Sequence, residues 1–132
     1  MAEAGARVKM DKARPAARKP GMTFETMAPA DCNTMAEVRA GVDAVDRALV
    51  GLLARRFGYM DAAARIKPAR GLVRDEARKA QVIENVRRHA VEAGLPAERL
   101  ARLWDALVEE SIAYELEAFD ASAAAERAQH AS

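Results

Sequence analysis

Two cations, Arg56 and Lys67, stand where a helical sequence has no ordinary use for them. Leu49, Leu52 and Leu53 lead up to Arg56, and Met60, Ala63 and Ile66 lead up to Lys67, all at helical spacing. Eleven positions separate the two, so at about 100° per residue they lie within ~20° of each other, three turns apart on one face. Cations on the apolar side of a helix need an anion, either a carboxylate from another element or a bound ligand. Arg39 is a third candidate near the start of the same pattern. It lies 28 residues from Lys67, about 42 Å along a helix axis, so one small ligand cannot touch both within a single chain. Arg39 of a second copy running antiparallel would reach that neighbourhood. Farther along, Ser111 and Glu115 are four residues apart and share a helix face with Leu107 and Val108 one turn earlier. A hydroxyl and a carboxyl turned inward need partners. Two readings are open at this point. Glu115 neutralises Arg56 or Lys67 in a salt bridge, with long stems snorkelling and Lys67 complementing a helix C-terminus. Alternatively, the set binds a small anionic molecule.

The elements that must carry these residues are helices. Thr34-Met35-Ala36-Glu37 fits a capping box, in which the Thr hydroxyl and the Glu carboxylate satisfy each other's backbone donors. Apolar residues then recur at Val38, Val42, Val45, Leu49, Leu52, Leu53, Met60, Ala63 and Ile66. Pro68 forces a stop near Ile66 or Lys67. The result is one helix of about 32 residues, ~48 Å long. A compact monomer of this length has a radius of gyration of about 14 Å, so such a helix would protrude with part of its stripe bare. Another chain covering it is the economical solution, and a homodimer is expected. Residues 67–74 read as a loop. A second helix is predicted from about Asp75 to Ala93, with Val82, Ile83, Val86 and Ala90 as its stripe and Gly94 as its C′ glycine. A third is predicted from about Ala97 to Phe119, with Leu100, Leu103, Trp104, Leu107, Val108, Ile112 and Leu116 inward. The fold class is therefore all-α, a three-helix protomer with one long N-terminal helix. Residues 1–30 read as a basic disordered extension, 31–120 as the helical domain, and 121–132 as a fraying tail.

Composition narrows the function. The chain has 132 residues, enough for one domain. It carries 21 Lys+Arg against 20 Asp+Glu, a net charge of +1. Six basic residues (Arg7, Lys9, Lys12, Arg14, Arg18, Lys19) and two acidic ones (Glu3, Asp11) make residues 1–20 net +4 and leave the rest at −3. A slightly acidic body does not suit nucleic acid, and no nucleic-acid partner is expected. The single cysteine, Cys32, excludes a disulfide scaffold within one chain, and His89 and His130 are too far from it to form a zinc-ligand motif. No apolar run approaches the ~20 residues of a membrane span, and the N-terminus has no secretory apolar region. No membrane partner is expected, and the cytoplasm is the default location.

The ordered set of segments resembles the all-helical chorismate mutases, including the related isochorismate-pyruvate lyases. The resemblance covers roughly residues 31–119. It rests on DCNTMAEVRAGVDAVDRALVGLLARR, the AARIK ending the long helix, VRDEAR before the second helix and EESIAYE in the third. It implies an intertwined three-helix homodimer with two active sites, each built from both chains. Carried over motif by motif, Arg39 would come from the second chain and bind one substrate carboxylate, and Arg56 would bind the other. Lys67 would donate to the ether oxygen. Arg78 would add a cation at the start of the second helix, with Asp75 near it. Ser111 and Glu115 match the serine and the glutamine-or-glutamate of the third helix, the latter also meeting the ether oxygen. Two positions depart from the common pattern. Lys79 stands where many mutases have a glutamate that helps hold the substrate hydroxyl, and Glu115 stands where many have glutamine.

The chemistry so implied suits these residues. Chorismate to prephenate is an intramolecular pericyclic rearrangement that calls for no cofactor, metal or nucleophile. The protein must hold a dianion folded and stabilise charge growing on an ether oxygen. Arginine forks suit carboxylates, and lysine supplies a point cation. The lyase reaction breaks the same ether bond and releases pyruvate, so one site can host both. Glu115 introduces a pH question, because an ionised carboxylate repels the growing oxyanion while a protonated one donates to it. A third alternative is a non-enzymatic helical dimerisation or regulatory module, in which Arg56, Lys67 and Glu115 pair with one another and leave no cavity.

Overall fold

A computed structural model describes residues 26–131; most of the basic extension lies outside the described residues. The described chain is helical, and no strand occurs in it. Helix α1 spans Met35–Ile66, α2 spans Glu76–Glu92 and α3 spans Ala97–Ala131. Single 3-10 turns sit at Pro29–Asp31 and, between α1 and α2, at Arg70–Leu72. The chain divides between Gly51 and Leu52 into two units.

The first unit ends with the opening half of α1, which starts as the capping box requires. The Glu37 backbone N–H donates to Thr34 Oγ1 at 3.1 Å, and Glu37 Oε1 accepts from the Thr34 N–H at 3.1 Å and the Asn33 N–H at 2.7 Å. These backbone donors, Asn33 first, hold the Glu37 carboxyl below its ordinary value. The apolar stripe here is open to solvent: Val38, Val42, Val45 and Leu49 are 38%, 51%, 40% and 49% exposed.

The second unit holds the rest of α1, α2 and α3. The Lys67 N–H still donates to Ala63 O at 2.9 Å, and Pro68 then ends the helix. The α2 N-terminus is capped by Asp75, whose Oδ1 accepts from the Arg78 N–H at 3.0 Å. Its C-terminus closes in a Schellman motif: Leu95 N–H donates to Ala90 O at 2.8 Å and Gly94 N–H to Val91 O at 3.1 Å. Gly94 supplies the positive φ of 74° that this motif requires. Helices α2 and α3 pack together, with Val82, Ile83 and Leu116 against a cluster of Val73, Val108 and Ile112. Phe57 of α1 meets the Tyr114 ring edge-on at 4.9 Å between centroids, and Tyr114 Oη donates to Asp61 Oδ2 at 3.1 Å.

Two sequence expectations need correction. The third helix does not stop at Phe119 with a fraying tail over 121–132; it continues to Ala131. Its added stretch is rich in alanine, the strongest helix former, and Asp120 is tied to Arg70. Leu103, assigned to the inward stripe, is 63% exposed. Among the described residues no large side chain is fully buried, so the core they form is thin.

Candidate functional site

The site forms in the second unit where the last turns of α1, the loop after it and the middle of α3 meet. Arg56, directly before the Phe57 contact, donates from Nη1 to Ser111 Oγ at 2.6 Å. Ser111 is 3% exposed and donates its own O–H to Leu107 O at 2.7 Å, the back-bond open to a serine inside a helix. Among the described residues no carboxylate pairs with Arg56. Burial first, and the field of Arg78 second, push the Arg56 guanidinium below its ordinary pKa. Arg78 itself is spent on a neutral partner, donating to Gln81 Oε1 at 2.6 Å. The two guanidinium groups are thus close enough to repel, and among the described residues neither is paired with a carboxylate.

One helical turn along α3, Glu115 is 4% exposed. Its Oε2 lies 2.7 Å from Lys67 Nζ, an ion pair by distance. The angle does not make a hydrogen bond, so this buried oxygen has no directional donor. Lys67 Nζ also donates weakly to Val73 O at 3.4 Å. The buried Glu115 oxygen is therefore neutralised by charge while its hydrogen-bonding capacity is left unfilled. The arrangement supplies cations for an anionic ligand at one end and a donor–acceptor pair at the other.

Of the residues singled out in the sequence, Arg56, Lys67, Ser111 and Glu115 come together in one place. The anticipated salt bridge exists between Glu115 and Lys67, not Arg56. Arg78 is close enough for its charge to act on Arg56, while Asp75 serves as the α2 cap. Arg39 lies in the first unit and is exposed.

Sequence reasoning missed the charged frame around the site. Arg74 forks onto Glu109, at 2.6 Å from Nη2 to Oε1 and 3.2 Å from Nη1 to Oε2, and also reaches Glu76 at 2.9 Å. Lys79 Nζ lies 2.6 Å from Glu109 and 3.1 Å from Asp105. Arg74 first and Lys79 second hold the Glu109 carboxyl down to about 2. Arg70 forks onto Asp120, at 2.9 Å from Nε and 3.3 Å from Nη2. Only the alternation of basic residues in the loop with acidic residues in α3 hinted at these pairs, and that pattern does not name partners.

The described residues thus form an all-helical chain with a buried lysine–glutamate pair and, one turn away, an arginine that no carboxylate neutralises. Residues 38–116 match the chorismate mutase type II family. Over 69 residues the chain is 35% identical to the isochorismate pyruvate lyase of Pseudomonas aeruginosa, covering 52% of this chain and 68% of that protein. The chain belongs to the chorismate mutase type II family, and its function is of chorismate mutase type at the level of that family.

Proposed function

We propose that this protein rearranges chorismate to prephenate in sites shared between two copies of the chain. The observation that carries this reading is the half-buried Arg56 beside Arg78 with no carboxylate partner among the described residues. Such an arrangement costs stability unless a ligand brings negative charge. A dicarboxylate does so. Arg56, with Arg78 near it, grips one carboxylate, while Ser111 fixes the Arg56 guanidinium and Asp75 caps the helix that carries Arg78. Arg39 from the second copy grips the other carboxylate. Lys67 donates to the ether oxygen as its bond breaks, and Glu115 holds the Lys67 ammonium in place at 2.7 Å. No bond to the protein forms. Rate comes from holding the folded conformer and from donors aimed where charge grows, each worth about 10²–10³-fold.

The second copy is supported by the bare stripe of α1, where Leu52 is 56% exposed in addition to the four residues before it. With no large side chain fully buried among the described residues, the chain gains most by covering that stripe with its own copy.

A second reading is elimination of pyruvate from isochorismate. It is favoured by the likeness to the Pseudomonas aeruginosa lyase and by Lys79, whose ammonium is committed to Asp105 and Glu109. Position 79 therefore offers no acceptor for the chorismate hydroxyl. Incubation with chorismate and isochorismate separately, followed by product identification, tests both. Prephenate supports the first reading, and salicylate with pyruvate replaces it with the second. Neither product, or a monomer on sedimentation, refutes the shared-site enzyme.

A further inference from the structure

The loop that follows α1 crosses α3, and it is gripped on both sides. Val73, 4% exposed, sits on the apolar ridge formed by Val108 and Ile112. On one flank of that ridge Lys67 meets Glu115. On the other, Arg70 forks onto Asp120 and Arg74 onto Glu109. Glu109 and Asp120 are eleven residues apart, so they share one face of α3 within about 20°, whereas Glu115 lies roughly 120–140° around the helix. The two forks thus bracket Ser111 and Glu115 along the chain while pulling from the opposite flank. Both are two-pronged, which fixes direction as well as distance.

The Arg70–Asp120 fork does little for global stability. The Arg70 and Asp120 side chains are 57% and 55% exposed. Exposed pairs of this kind contribute little to folding. What they do restrict is the loop, and Lys67 is attached to Arg70 through only Pro68 and Ala69. Asp120 also lies beyond residue 116, where the family match ends, so this grip is a feature of the longer α3.

We propose that the Arg70–Asp120 fork is a positioning pair: it fixes the loop across α3 so that the Lys67 ammonium is held against Glu115 at the site. Its catalytic consequence rests on the role given to Lys67 above; its effect on Lys67 itself does not. Misplacing a reacting group by about 1 Å costs up to ~100-fold, so partial release of one anchor is expected to cost about tenfold.

The test uses the full chain with Asp120→Ala, Arg70→Ala and the swapped double variant Arg70→Asp/Asp120→Arg. The first readout is acetylation of Lys67 by acetic anhydride, measured by mass spectrometry of peptides with Lys79 as internal reference. Each single variant raises the Lys67:Lys79 labelling ratio about threefold or more, and the swap returns it toward the parent value. The second readout is turnover: kcat falls about tenfold in the single variants, KM and Tm change little, and the swap restores most of kcat. An unchanged labelling ratio overturns the proposal, as does a fall in Tm large enough to explain the loss of kcat. If the parent protein turns over neither substrate, the enzymatic reading fails while the labelling ratio still decides whether the fork positions Lys67.

Discussion

Arg56→Met separates the function of the candidate site from its stability. Methionine keeps the unbranched stem and removes the charge. The folded protein disfavours that charge, because burial and the field of Arg78 both lower the Arg56 pKa. A cation with a lowered folded pKa opposes folding at every pH where it is charged, so the stability effect of its removal is level from about pH 5 to 9. Against this stands the loss of the 2.6 Å hydrogen bond to Ser111. A charge-assisted bond of this kind contributes about 1.5–3 kcal/mol, much of it offset here by relief of desolvation and repulsion. Ser111 keeps its donor satisfied by Leu107 O, so no buried proton is orphaned. The net change is expected within about 1 kcal/mol, a few degrees in Tm. Activity behaves differently. Loss of a fork to a substrate carboxylate removes about 2.7–4 kcal/mol from the transition state, a drop of roughly 10²–10³ in kcat/KM. Arg56→Lys keeps the charge without the planar fork and recovers only part of it. Chorismate consumption and thermal melts on the same preparations decide the matter. A variant with kcat/KM within about threefold of the parent, or one whose Tm falls by more than about 10 °C, refutes the reasoning.

Three further outcomes follow from the geometry. Glu115→Gln keeps the side chain's shape but removes the charge that pairs with Lys67 at 2.7 Å, so kcat/KM changes by about tenfold or more; an unchanged kcat/KM excludes a role for the pair at the reacting bond. Glu109, held near 2 by Arg74 and Lys79, stabilises the fold above its ordinary value of 4.5, and this contribution is lost as pH falls from there toward 2. The gap in urea midpoint between the parent and Glu109→Gln should therefore narrow on acidification, and a constant gap contradicts the pairing. Gly94→Ala meets no atom within 4 Å of the new Cβ but must adopt the φ of 74°, so it lowers stability by about 1 kcal/mol through backbone strain alone; an unchanged Tm argues against the Schellman closure.

The one-dimensional features of this protein were legible in its residues because local chemistry decides them. The Thr34–Glu37 box, Pro68 and Gly94 each act within a few positions of the chain. They set where α1 begins, where it ends and where α2 stops. The inward cations stood out for a similar reason, since a charge at helical spacing inside an apolar stripe is anomalous wherever the helix packs. The end of α3 is not legible in the same way: residues 121–131 look like a polar tail in isolation, yet alanine propensity and the Arg70–Asp120 tie across fifty residues keep them helical. Pairing was the work of the tertiary structure alone. The sequence could propose Glu115 for either Arg56 or Lys67, but only the approach of the loop to α3 assigned it to Lys67 and left Arg56 to a serine hydroxyl. Spacing along a helix determines which face a side chain occupies, whereas its partner depends on which other chain segment that face meets.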